Sequence, residues 1–147
     1  MEQHLQELIN KIPTGLLIGD TWREGFAGET FDVLNQATEE KLTTLASATP
    51  EDAIAALDAA CQVQDQWAHT PPRERAEILR RAYALITDRS EEFATLMTLE
   101  MGKPLAESRG EVVYGAEFLR WFSEETVRDY GRYQPTPEGK NQILVKH

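Results

Sequence analysis

The chain has 147 residues, with 15 Lys and Arg against 25 Asp and Glu and a net charge of −10. The acids are spread along the chain rather than gathered in a tail, which argues against nucleic acid and anionic membrane as partners. The length suits one domain with a real core and falls short of the size usual for a two-domain chain.

A single cysteine, Cys61, excludes an internal disulfide, and His4, His69 and His147 are too scattered for metal-ligand spacing. No apolar run approaches the roughly 20 residues that span a bilayer. The opening "MEQHLQELIN" lacks a basic stretch followed by an apolar one. A soluble, cytoplasmic protein is expected.

Residues 1–48 carry strand and turn signals. "GLLIGDTWRE", the breakers Gly25 and Gly28, and "TFDVLNQATEEKLTTLASAT" with its β-branched alternation predict a small antiparallel ribbon. At Thr49-Pro50-Glu51-Asp52 the pattern changes to a helix start: Thr49 can cap, Pro50 takes the first helical position, and acids fill the first turn. That helix should run to about Trp67, with Ile54, Leu57 and Cys61 on a core-facing stripe.

Thr70-Pro71-Pro72 opens a longer element whose Ala76, Leu79, Tyr83, Ile86, Phe93, Met97 and Met101 fall on one stripe. Asp88, with Glu91 three residues on, offers a fresh cap, so two helices meeting near Arg89 are expected. After Gly102, Pro104 starts a third helix, predicted to reach Tyr130. Leu105, Val112, Leu119 and Phe122 form one stripe on it, and Glu111, Tyr114, Phe118 and Trp121 form a neighbouring one. Two such faces predict a helix packed from two sides. The Pro- and Gly-rich "GRYQPTPEGK" then releases into "NQILVKH", a short strand with no evident partner, whose edge must pair with the N-terminal ribbon, another subunit or a continuation.

The candidate chemistry is sparse. Gly102-Lys103 invites a phosphate-loop reading, but Pro104 has no N–H where one is needed, and no glycine lies within six residues upstream. A left-handed helix end at Gly102 followed by a new helix is the simpler reading. Cys61, mid-helix among alanines, reads as an inert core thiol, and His69 as a surface loop residue. The adjacent acids Glu39-Glu40, Glu91-Glu92 and Glu124-Glu125 diverge by about 100° if helical and so do not face one site. Glu111 differs because it shares a stripe with three aromatics; it either faces a ligand cavity or ends a core stripe at the surface. No catalytic constellation emerges. From the residues alone, the chain is a helical domain with a β ribbon at each end.

Several phrases taken together resemble one family: "LLIGDTWRE", "FDVLNQATEE", "AAC..Q..WA.T.PRERAEILRR", "TLEMGKPLAESRGEV" and "EFLRWFSEE" followed by "YG". In order and spacing they are similar to the N-terminal part of aldehyde dehydrogenases, and within that superfamily to succinate-semialdehyde dehydrogenases. The resemblance runs from about Leu16 to His147. It implies a parent of α/β class with a Rossmann-like cofactor domain, of which this segment is the mostly α-helical beginning, with an N-terminal antiparallel ribbon and a C-terminal strand. It also implies a single incomplete domain: residues 1–48 a ribbon, 49–131 the helical part of the cofactor-binding domain, 132–147 the start of an oligomerisation arm.

Members of that family oxidise an aldehyde to an acid with NAD or NADP, through a thiohemiacetal on cysteine, hydride transfer, and hydrolysis by water that a glutamate activates. They are much longer than this chain. Their nucleophile, base and dinucleotide-contacting turn lie beyond the position matching His147, and Cys61 does not match the nucleophile. The resemblance therefore implies no catalytic or cofactor-binding residue in this chain, and no activity for it alone. It makes Glu111, Tyr114, Phe118 and Trp121 candidates for the wall of the aldehyde tunnel. Glu100, with the backbone of Val33 and Leu34, becomes a candidate monovalent-cation site. The terminal strand becomes a route to a homo-oligomer. Gln36 stands where the family usually has proline, which loosens a turn. The competing reading is a non-catalytic helical interaction module derived from such an enzyme.

Overall fold

The computed structural model describes residues 2–128 and 131–145, and the side chains from Leu5 onward. The chain divides into two compact units, Met1–His69 with Arg89–Val112, and Thr70–Asp88 with Val113–His147. Within them run α1 (Glu2–Asn10), β1 (Leu16–Ile18), β2 (Thr21–Arg23), β3 (Thr30–Leu34), β4 (Lys41–Ala46), α2 (Pro50–His69), α3 (Pro72–Asp88), α4 (Ser90–Met101), α5 (Leu105–Glu125), a 3₁₀ turn (Thr126–Arg128), β5 (Arg132–Pro135) and β6 (Gln142–Val145).

The first unit opens with a helix where strand and turn signals had been read. Leu5, Leu8, Ile9 and Ile12 recur at three- and four-residue steps, and Leu8 and Ile9 are buried, so the apolar face of α1 is what forms it. The expected ribbon follows as two separate antiparallel hairpins. β1 pairs β2 with Leu16 opposite Arg23, turning at Gly19, whose φ is +66°. β3 pairs β4 with Thr30 opposite Ala46, and the register shifts between Val33 and Leu34. The Asn35 side chain accepts the Ala37 N–H at 2.9 Å to shape the turn.

Helix α2 begins as its sequence predicts. The Thr49 carbonyl accepts the Ala53 N–H, and the Thr49 hydroxyl accepts the Asp52 N–H at 3.3 Å. Asp52 is 1% exposed and reaches back in return, accepting from the Thr49 N–H at 3.0 Å and the Thr49 hydroxyl at 3.1 Å. The same carboxylate accepts the Phe26 N–H at 3.1 Å and faces the Arg23 guanidinium at 3.3 Å. A fully buried acid is tolerated here because each oxygen is matched by a donor.

The core stripe read on α2 is corrected. Ile54 is 59% exposed, Leu57 62%, and Cys61 is exposed, because among the described residues no element covers that face. Shared helical phase places side chains together without deciding whether anything packs on them. His69 ends α2 rather than lying in a loop, its Nδ1 within 2.7 Å of the Asp65 carbonyl, and it is exposed as expected.

The chain breaks between α3 and α4 at Arg89, as expected, but without the Asp88 cap. Arg89 takes the capping position with no side-chain cap hydrogen bond, its Nε on Glu92 at 2.7 Å and its guanidinium over the Phe93 ring. Gly102 closes α4 at φ +73°, its N–H donated to the Thr98 carbonyl at 2.9 Å. The Pro104 carbonyl accepts the Ser108 N–H and launches α5. Across this corner the Thr98 and Ser108 hydroxyls lie 2.9 Å apart, with Ser108 fully buried, and Arg109 grips both oxygens of Glu91 at 2.8 Å. Ala94 and Val112 are buried beside it, whereas Phe93 and Met101 of the predicted stripe are exposed.

In the second unit α3 packs against the 3₁₀ turn, burying Ala76. The predicted continuation of α5 to Tyr130 gives way at Thr126 to that turn, and Asp129 and Tyr130 lie outside the described residues. The terminal strand is also corrected, since it has a partner just upstream. β6 pairs antiparallel with β5, Arg132 opposite Val145 and Pro135 opposite Gln142. Gly139, at φ +67°, donates its N–H to the Thr136 carbonyl and closes the hairpin. Lys146 and His147, the end of the predicted strand, lie outside the described residues.

Candidate functional site

Tyr114, Phe118 and Trp121 follow one another at steps of four and three on α5, so one face carries all three rings. Tyr114 and Phe118 meet edge to face, with centroids 5.1 Å apart and an interplanar angle of 88°. All three are open to solvent, at 68%, 48% and 62% exposure respectively. They wall a groove of about 450 Å³ together with Glu117, Arg120, Phe122 and Glu124.

The groove's polar rim was not singled out in the sequence, though each of its members lies one turn or less from a ring that was. Arg120 forms an ion pair with Glu117, and its guanidinium stands 5.9 Å from the centre of the Tyr83 ring. Phe122 leaves the stripe assigned to it: Val112 is buried, Leu105 and Leu119 are half-buried, and Phe122 is 53% exposed and turns into the groove wall. Glu111 sits one turn before Tyr114, but its carboxylate pairs with the Lys103 ammonium and it is not among the groove's lining residues.

The groove can hold an apolar stem against aromatic faces. No Cys, Ser, Thr or Lys lines it, and the Glu117 carboxylate at its rim is already paired with Arg120. The adjacent acids diverge as their helical phase predicts: Glu91 goes to Arg109 and Glu92 to Arg89, while Glu124 lines the groove and Glu125 pairs with Arg128. The hydrogen bonds from Arg109 hold the Glu91 carboxyl below the usual glutamate range.

Glu100 is exposed at the last turn of α4. The Gln36 N–H donates to the Leu99 carbonyl at 3.1 Å, which ties the segment after β3 to this helix end and brings the Val33–Leu34 irregularity to the same locality. Among the described residues no cluster of three or more His, Cys, Asp and Glu side chains could hold a metal. The residues at Gly102 do not fit a dinucleotide phosphate either: the Gly102 N–H is engaged with Thr98, and Pro104 has none.

Residues 22–147 match the aldehyde dehydrogenase family. The chain belongs to that family. It is 78% identical over 106 residues to succinate-semialdehyde dehydrogenase of Paenarthrobacter nicotinovorans, an alignment covering 72% of this chain and 24% of that protein. With the NADP(+)-dependent succinate-semialdehyde dehydrogenase GabD of Escherichia coli K12 it shares 39% identity over 129 residues, covering 88% and 27%. Its fold superposes on betaine aldehyde dehydrogenase from Staphylococcus aureus in complex with NAD+ with a TM-score of 0.86 and 25% identity, over 92% of this chain and 27% of that one. The chain thus spans about a quarter of the length of the curated relatives it matches. No helix among the described residues is long and apolar enough to cross a membrane.

Proposed function

We propose that this chain is the N-terminal quarter of an NAD(P)-dependent succinate-semialdehyde dehydrogenase, a cytoplasmic homo-oligomeric enzyme that oxidises a small aldehyde to its acid. The observation that carries the reading is the 78% identity to the Paenarthrobacter enzyme over most of the chain. The part reserved for these residues is architectural. Tyr114, Phe118 and Trp121 wall the aldehyde's approach, with Glu111 on the preceding turn of the same helix. The open aromatic groove supports this assignment, since it suits an apolar stem and no cysteine lines it.

Two further roles belong to the same proposal. Glu100 and the carbonyls of Val33 and Leu34 hold a monovalent cation, supported by the Gln36–Leu99 tie that brings the two segments together. The β5–β6 hairpin starts an arm through which subunits associate, supported by the exposed Leu144 and Val145 on its last strand. Nucleophile, base and dinucleotide cradle are assigned to residues outside this quarter.

The test compares two polypeptides with succinate semialdehyde and NAD+ or NADP+. The 147 residues alone should produce no nucleotide reduction, whereas the same residues joined to the remaining three quarters of the Paenarthrobacter enzyme should. Turnover by the short chain, or a folded chimera with none, would overturn the proposal.

A further inference from the structure

The buried carboxylate of Asp52 lies at the meeting of two segments far apart in sequence, the loop after β2 and the first turn of α2. From the loop it takes the Phe26 N–H, on both oxygens at 3.3 and 3.1 Å, and from the end of β2 the Arg23 guanidinium. From the helix it takes the Thr49 N–H and hydroxyl. The loop closes over it tightly. Gly25 is buried, and a Cβ there would stand 2.4 Å from the Ser47 carbonyl oxygen and 3.3 Å from Asp52 Oδ2. Arg23 also lies over the Phe26 ring at 4.9 Å, and the Gly28 N–H returns to the Gly25 carbonyl at 3.0 Å. The β1–β2 pairing ends at Arg23, and beyond it little else holds the loop down, because Phe26 is 66% exposed.

We infer that residues 24–28, the loop leaving β2, form a strap latched to the start of α2 by Asp52, and that the strap opens as one unit while the rest of the first unit stays folded. Local opening free energies follow how many contacts a segment would lose, and this segment's attachments converge on one side chain. An Asn in place of Asp52 keeps the shape but turns an NH2 group toward donors, so the latch loses one of its two acceptor oxygens and its charge without leaving a cavity.

The test is amide hydrogen exchange, followed residue by residue on the full chain. Asp52→Asn should speed exchange at Phe26 and Thr49 by about tenfold or more, while Phe93 in α4 and Gly102 just beyond its end keep their rates. Gly25→Ala, which forces the loop off by backbone contact instead, should release the same amides. Uniform acceleration through α4 in both variants, or no change at Phe26 in either, would overturn the latch.

Discussion

The Asp52 locality and the aromatic face of α5 lie in the same chain and obey opposite rules. Around Asp52 both carboxylate oxygens accept hydrogen bonds from inside the chain, and a single added methyl at Gly25 would strike backbone. Along α5, Tyr114, Phe118 and Trp121 project apolar surface that no described residue covers. A closed polar knot works within one segment, whereas an uncovered aromatic stripe needs another surface before it can act. The contrast separates what these residues accomplish alone from what they can do only against a further surface.

Substitutions should break the two regions differently. Gly25→Ala is expected to cost the most, about 3 kcal/mol, because the neighbouring Ser47 carbonyl is backbone and cannot swing aside; chemical denaturation of the chain reads this out. Gly102→Ala should cost about 1–2 kcal/mol, from the left-handed φ of +73° and from the 3.0 Å approach to the Gln36 Cβ. Phe118→Ala should change the stability of the isolated chain by less than about 0.5 kcal/mol, since the ring is half open, yet, on the proposed tunnel role, raise KM for the aldehyde in the chimera with the Paenarthrobacter enzyme. Equal losses of stability for Phe118→Ala and Gly25→Ala would erase the distinction between the regions.

Acid should act on the closed region. Hydrogen bonds from Thr49, then from Phe26, together with the Arg23 charge, hold the Asp52 carboxyl below its ordinary value of 3.8 against the opposing effect of burial. A depressed carboxyl pKa contributes stability that is fully present above 3.8 and is lost as pH falls through the lower folded value. Glu91, held below its ordinary 4.5 by Arg109, behaves in the same sense. An acid titration should therefore show stability falling below about pH 4 in the native chain, with a shallower fall in Asp52→Asn.

Sequence reasoning succeeded where the physics is local. Thr49 as cap, Pro50 at the first helical position and Gly102 in a left-handed conformation each follow from one residue's own stereochemistry. It failed where a second segment decides. The α1 helix was hidden by the strand signals that follow it, and β5 by the prolines and glycines of "GRYQPTPEGK", although Pro135 sits in an edge strand that tolerates it. Cys61 was assigned to a core stripe because period 3.6 fixes which side chains share a face and is silent about what lies opposite. For the candidate site, the three rings were legible from their spacing. The pairing of Glu111 with Lys103, and the rim made by Glu117 and Arg120, depend on side-chain directions that spacing alone does not give.

The central claim is that the α5 face is built to be covered. Size-exclusion chromatography of the isolated 147-residue chain, with a hydrophobic fluorescent dye in a parallel sample, tests it most directly. The account predicts self-association or strong dye binding, reduced when Phe118 and Trp121 are both replaced by Ser. A monodisperse monomer that leaves the dye dark would contradict it.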